Sequence, residues 1–359
     1  MSPTNTSYQH ELATKSERLS SMLSSFEAPA PTVYPSAPEH YRLRAEFRVW
    51  HETDDSFYIM FEPGNSNQRY RVDQLPVASL LINHLMVQLR DAFMSTPILR
   101  HRLYQVEFLT TLSGEALITL IYRRPLDDEW TGAATNLEAA LNARIIGRSR
   151  KQRIVISEDY VTERLDIQGR ELIYRQPEGS FVQPNGEMNR NMLGWAIDSC
   201  RDVDGDLIEL YCGLGNFSVA LAPYFDSVLV TEINKTAIAA ADFNLRINSI
   251  TNTTVARLSA EEASQALSRE REFNRLKGFD LDHFNPSTLL VDPPRAGLDA
   301  FTRTFAKRFK RLIYVSCNPE TLCRDLDELN ADYRITRVAL FDQFPMTPHI
   351  ESGVLLEKR

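Results

Sequence analysis

Five short stretches of this chain carry residue types that can bind a nucleotide-like ligand or move protons and electron pairs. In LYCGLGNFS (210–218), Gly213 and Gly215 follow an apolar run and precede a helical one, so the backbone can turn tightly and approach a ligand without Cβ clashes. Glu232 stands about 20 positions further on, at the end of the next apolar run, where a ribose diol needs an acceptor. Asn216-Phe217-Ser218 replace the third glycine of the dinucleotide fingerprint; with no pyrophosphate to cradle, that departure favours S-adenosylmethionine over NAD. Asp292 ends the run LLV and precedes Pro293-Pro294, a rigid turn without amide donors that can hold carbonyls and a carboxylate beside a flat substrate. Cys317 ends the run IYVS, ahead of Asn318-Pro319. Taken alone it reads as a buried strand-end residue, because free cysteine is among the most buried types. On the same sheet edge as Asp292 and the glycine turn it reads instead as a nucleophile, with Glu351 of HIESGV as a general base. Cys212 and Cys323 read as structural.

The elements that must present these residues alternate from about Asp166 onward: apolar strands, then helical segments, the grammar of a parallel sheet covered by helices. No helix-sized segment separates the two strand-like runs of RITRVALFDQFPMTPHIESGVLLEK, so the final strand is expected to return antiparallel. The front half reads differently. A helix is expected up to about Phe26, then a proline-rich connector (APAPTVYPSAPEH), strands between Tyr41 and Met60, a helix over 77–93 and a hairpin around Ser113-Gly114. This gives an α+β domain over residues 1–165 and an α/β domain, Rossmann-like with a mostly parallel sheet and a final antiparallel strand, over 166–359.

Composition narrows the function. Four cysteines without a CxxC pair argue against a disulfide framework and against a zinc or iron–sulfur site, which points to a reducing cytoplasm. No apolar run approaches the roughly 20 residues of a membrane span. The formal net charge of -8 gives no encouragement to nucleic-acid binding, but charge is local, and ARIIGRSRKQR (143–153) is a basic cluster almost free of acids.

Together, YRLRAEFRVWH, LRHRLYQVEFLTTL, SFVQPN, ELYCGLGNFS, TEINK, VDPPRAGLD, SCNPETL and FDQFPMTPHIESGVLL make the chain resemble the RNA 5-methyluridine methyltransferases over nearly its whole length. The resemblance implies S-adenosylmethionine as methyl donor, S-adenosylhomocysteine as product, Cys317 as nucleophile toward uracil C6 and Glu351 as proton acceptor. It also implies cofactor contacts at Gln183, Tyr211, Asn216, Glu232 and Asp292; Gln183 and Tyr211 rest on it alone. The implied substrate is the T-loop uridine of tRNA, with the similar loop of transfer-messenger RNA as a second one and no protein partner implied. Ribosomal-RNA members of the family often carry an N-terminal cysteine-bound cluster and an extra β-barrel, whereas here no cysteine precedes Cys200. Candidates for RNA contacts in the front domain are Arg42, Arg44, Arg48, Tyr104 and Phe108. Two rival readings are a nucleotide-cofactor dehydrogenase, which leaves Asp292, Cys317 and Glu351 idle, and a non-catalytic tRNA-binding or folding chaperone.

Overall fold

The computed structural model describes residues 5–53, 55–62 and 64–359. Helix α1 (Asn5–Leu23) buries Tyr8, Leu12, Leu19 and Leu23 and runs into a short turn that buries Phe26, as the sequence suggests; Met1–Thr4 lie outside the described residues. Its central residue Lys15 is buried as well, and the ammonium bonds Asp342 at 2.8 Å, while Tyr8 donates to the other oxygen of that carboxylate at 2.9 Å. Removing either member of such a buried pair leaves an uncompensated charge, at a cost of about 3–5 kcal/mol. The proline-rich connector is more than a connector. It contains strand β1 (Thr32–Tyr34), which pairs with a strand three hundred residues later, Thr32 opposite Ala339.

A seven-stranded sheet follows. Strands β2 (Arg44–His51), β3 (Ser56–Glu62) and β4 (Asn65–Val72) form an antiparallel meander, after which come α2 (Leu80–Ser95) and the short α3 (Pro97–Arg100). Strands β5 (Leu103–Thr110) and β6 (Ala116–Tyr122) make the expected hairpin; α4 (Asp128–Leu141) then crosses to β7 (Arg144–Ser149), parallel to β6, and β8 (Gln152–Val155) closes the edge. The order is β4-β3-β2-β5-β6-β7-β8. Ser79 and Asp127 cap α2 and α4 through the amides of Ile82 and Trp130, and both helices cover one face. Ile82, Leu89, Phe93 and Trp130 pack there against Phe47, Phe108, Ile118 and Leu120. The opposite face is covered only near one end, where Leu109, Leu117 and Ile146 join the core of the second sheet.

A two-stranded ribbon, β9 (Tyr160–Ile167) and β10 (Arg170–Pro177), links the sheets, so the expected division at 165/166 falls inside a paired strand. Helix α5 (Gly186–Asp198) leads to the alternating half: β11 (Asp206–Leu210), α6 (Asn216–Leu221), β12 (Val228–Thr231), α7 (Lys235–Ile247), β13 (Thr253–Ala256) and α8 (Ala260–Leu267). Then come β14 (Pro286–Val291), α9 (Ala300–Ala306), β15 (Arg311–Ser316), α10 (Pro319–Leu329), β16 (Tyr333–Phe341) and β17 (Glu351–Lys358). The sheet order is β1-β16-β17-β15-β14-β11-β12-β13. From β15 to β13 all neighbours are parallel, and β17 runs antiparallel to both β15 and β16, the return expected from the sequence. From β11 the chain winds outward to β12 and β13, then crosses back to β14 and β15. That reversal is the topological switch point at which open α/β sheets bind ligands.

Candidate active site

Strands β15, β14, β11 and β12 are adjacent and parallel, so Cys317, Asp292, Tyr211 and Glu232 leave the same edge of the sheet, each one residue past its strand. The antiparallel β17 brings its first residue to that edge: Ser352 lies opposite Ser316, which sets Glu351 beside Cys317. A parallel β17 would have sent the glutamate to the far side. Against this edge lies a cavity of 390 Å³ whose wall includes Gln183, Tyr211, Asn216, Asp292, Cys317 and Glu351. Its other wall comes from the ribbon and from Leu43 and Thr110 of the front sheet, so the site sits at the seam of the two sheets. Glu232 stands behind the glycine turn, not in that wall. Its carboxylate accepts from the amides of Gly213 (3.2 Å), Ile233 (2.7 Å) and Asn234 (2.8 Å).

The glycine turn behaves as its sequence requires. Gly213 has φ +55, and a Cβ there would meet nothing within 4 Å, which leaves open space over the backbone. Gly215 has φ +84 and lets α6 approach α7, where a Cβ would stand 3.4 Å from Ala241. Tyr211 also adopts a left-handed φ of 62, at about 1–2 kcal/mol for a residue with a Cβ; the sharp turn keeps its ring on the cavity wall.

Cys317 is half-buried, and the turn after it is tied down. Asn318 caps α10 by accepting from the Glu320 amide at 3.2 Å and donates to the Arg295 carbonyl at 3.1 Å; Thr321 donates to the same carbonyl at 3.3 Å. These bonds lock the Asp292–Arg295 turn to the Cys317 turn. Burial pushes the Cys317 thiol up to about 11, with the Glu351 and Asp292 carboxylates adding to it and the Arg295 guanidinium opposing. Burial also raises Asp292 to about 7, raises Glu209 of β11 to about 8, and holds Glu351 well above the carboxylate range. Glu163 of the ribbon is raised by burial too, and an interior lined by four such carboxyls favours a ligand that carries positive charge.

This has a consequence for pH. Below about pH 4 these carboxyls are protonated in both folded and unfolded chains, so the full stability they allow is present. As pH rises through about 7 and 8, the folded-state values of Asp292 and Glu209, that stability is lost, because the fold must bury charge. The melting temperature of the ligand-free protein should therefore fall between about pH 5 and 8, and the Asp292→Asn, Glu209→Gln double variant should fall less. Parallel pH curves for the two proteins would exclude this account.

Several residues that the sequence does not single out support the site. Asn189 of α5 exchanges two hydrogen bonds with Asn216, at 3.0 and 2.8 Å, and fixes that carboxamide. Gln343, just after Asp342, donates to Gln183 at 2.6 Å. Glu209 accepts a short bond from Ser218. Arg295 is the one cation lining the cavity among the described residues. The DPPR spacing alone places it near Asp292; the asparagine and glutamine pairs span too much sequence to leave a signal.

The front-domain candidates divide. Arg48 and Tyr104 stack on one another, with the guanidinium 4.0 Å from the ring centre. Arg44 donates to the Ser180 carbonyl at 3.0 Å and lies 3.8 Å from Glu107. Arg42 donates to the Arg44 carbonyl and stands 6.0 Å from the Phe344 ring. Phe108 is corrected: it is 1% exposed and packs against Phe47 and Tyr58, so it cannot stack on a base. The basic cluster at 143–153 is in part engaged by acids. It forms the β7–β8 hairpin, and Arg148 and Arg153 are held by Glu178 at 2.6 and 3.0 Å, with Arg144 on Glu115 at 2.6 Å.

Among the described residues no group of histidine, cysteine and acidic side chains could hold a metal ion, and no helix is long and apolar enough to cross a membrane. The fold resembles that of the Pyrococcus abyssi tRNA (uracil-54, C5)-methyltransferase solved with S-adenosyl-L-homocysteine, at a TM-score of 0.74 and 22% identity over 97% of this chain and 83% of that one. In sequence the chain is 53% identical over 357 residues to a tRNA/tmRNA (uracil-C(5))-methyltransferase of Yersinia enterocolitica, covering 98% of this chain and 97% of that protein. It is 51% identical to the protein of that name in Yersinia pestis, over 98% and 97%. A family model agrees with the motifs from the front domain to the last strand, matching residues 7–359: the chain belongs to the tRNA (uracil-5-)-methyltransferase family.

Proposed function

We propose that the protein transfers a methyl group from S-adenosylmethionine to C5 of the T-loop uridine of tRNA, position 54, and of the equivalent loop of transfer-messenger RNA. The observation that carries this reading is the meeting of Cys317 and Glu351 at one sheet edge, in a single cavity with Asp292 and the glycine turn. Gln183, Tyr211, Asn216, Glu232 and Asp292 would hold the cofactor. The fit rests on the open space over Gly213 and on the buried carboxyls, which suit a sulfonium cation. Bound there, the cofactor supplies an electrophilic methyl group.

Uracil C5 is too poor a nucleophile to accept that methyl unaided. The Cys317 thiol, held high by burial, first gives its proton to water; the thiolate then adds to C6, and the displaced electron pair enriches C5 as an enolate. After C5 has been methylated, Glu351 takes the C5 proton, the electrons of that C–H bond restore the C5–C6 double bond, and the C6–S bond breaks to release Cys317. The burial that makes Glu351 bind a proton tightly makes its ionised form an effective acceptor. To reach Cys317 the uridine leaves its stack, at a cost of a few kcal/mol that contacts from Arg42, Arg44, Arg48 and Tyr104 would offset.

Mass mapping of nucleosides in RNA from cells lacking this protein tests the reading. The expected result is loss of 5-methyluridine from the tRNA T-loop. Wild-type levels there would sink it, and loss from ribosomal RNA alone would assign a different substrate.

A further inference from the structure

Strand β16 is followed by two buried polar residues in a row, Asp342 and Gln343, each 1% exposed. They serve opposite faces of the sheet. Asp342 turns to α1, where Lys15 and Tyr8 grip its two oxygens, and Lys15 also donates to the Phe344 carbonyl at 2.9 Å. The Asp342 amide donates to the Tyr34 carbonyl at 3.1 Å and the Gln343 amide to the Phe341 carbonyl at 2.8 Å, so the backbone on both sides of the Gln343 side chain is pinned. Gln343 turns instead to α5 and the loop before it. Its Nε2 donates to Gln183 Oε1 at 2.6 Å and reaches the Met192 sulfur at 4.0 Å, while its own Oε1 is buried without a partner among the described residues. Burying an oxygen in that way costs stability, which an apolar side chain of the same size would avoid.

A carboxamide has a donor end and an acceptor end, and its partners decide which end points where. The Met192 thioether can only accept, so it keeps the NH2 group of Gln343 on the side of Gln183. Gln183 Oε1 is thereby taken, and the Nε2 hydrogens of Gln183 are left for the cavity that it lines. Strands β15 and β16 both run antiparallel to β17, so Gln343 leaves the sheet at the edge that carries Cys317, two residues beyond Phe341, the partner of Glu351. Glu163, Glu209, Asp292 and Glu351 fill much of the cavity wall, and an acceptor oxygen brought among them needs a fixed donor. We infer that Gln343 is a positioning residue: it turns Gln183 so that the NH2 group, not the oxygen, meets an acceptor oxygen of the ligand. That oxygen is a carbonyl of the target base or the carboxylate of S-adenosylmethionine, and for these two ligands the inference rests on the proposed function.

Gln343→Met keeps the volume while removing both the donor and the orphaned oxygen. Its melting temperature should equal or exceed that of wild type, yet one ligand should bind about five- to tenfold more weakly, the scale of one neutral hydrogen bond. Calorimetry with S-adenosylmethionine reads the carboxylate arm; binding of a T-loop RNA hairpin by protein saturated with S-adenosylhomocysteine reads the base arm. Gln183→Glu still accepts from Gln343 but presents an oxygen to the cavity, and it should lose at least as much on the same ligand. The Gln183→Met, Gln343→Met double variant should bind no more weakly than Gln183→Met alone, because Gln343 acts through Gln183. Additive losses, or wild-type affinity for both ligands in Gln343→Met or in Gln183→Glu, would overturn the inference. Gln183→Glu, altered only at the cavity wall, keeps it open to refutation should Gln343→Met not fold. Failure of the function is a separate result: wild type would bind both ligands and leave the RNA unmethylated.

Discussion

Replacing Cys317 by alanine is expected to reduce methyl transfer to RNA by on the order of 10^4-fold or more, the scale seen when a covalent nucleophile is removed. The reason is chemical. Without the sulfur adding to C6, C5 stays too electron-poor to take the methyl group, and nothing else in the cavity wall can supply the electron pair. Cys212, the other cysteine of that wall, is nearly fully buried, and its thiol is held well above the ordinary range by burial and by Glu209 and Glu232. S-adenosylmethionine binding should survive, because Cys317 follows β15 while Tyr211, Glu232 and Asp292, proposed to hold the cofactor, follow β11, β12 and β14. The paired measurement is calorimetric binding of S-adenosylmethionine and single-turnover transfer to T-loop RNA. Turnover near wild type would remove Cys317 from the reaction, whatever its position.

The Glu351→Gln variant should behave in the opposite way and be caught with its product half-made. Glutamine keeps the size of the side chain but cannot accept the C5 proton. Addition by Cys317 and methylation of C5 both precede that proton's departure, so the chain should accumulate a covalent, methylated protein–RNA adduct. It would appear as a shifted band on a denaturing gel, labelled by a radioactive methyl group and abolished by a second Cys317→Ala change. A variant that turns over normally would transfer the role of base elsewhere. A variant that stays inactive without forming an adduct would place Glu351 before the methyl step.

The parts of the site that were legible in the sequence are those whose signal is local. A strand end followed by Gly213-Leu214-Gly215, by Pro293-Pro294 or by Asn318-Pro319 is written within ten residues, and the parallel grammar of the second half then brings such ends to one edge. Glu351 became legible because the short spacing to its predecessor forces an antiparallel return. The front sheet was harder. Phe108 and Tyr104 lie in one strand four residues apart, and alternation would send them the same way. The irregularity at Leu103–Gln105 turns Tyr104 outward and leaves Phe108 in the core, and nothing in LYQVEFLT announces it. Charge was harder still, because Arg144, Arg148 and Arg153 of the 143–153 cluster are paired with Glu115 and Glu178, each more than twenty residues away along the chain. The strand within APAPTVYPSAPEH has only three residues and owes its existence to β16.

The placement of β17 has a consequence for how the protein comes into being. It is made after every other strand, yet it belongs in the interior of its sheet, between β16 and β15. A nascent chain that has not yet reached Glu351 cannot seal the gap, so β1, β16 and the α1 residues that grip Asp342 have no finished sheet to join. Contacts of such sequence separation form late and slowly. The same insertion that closes the sheet sets Glu351 beside Cys317, so the two side chains come together only once the last strand is in place.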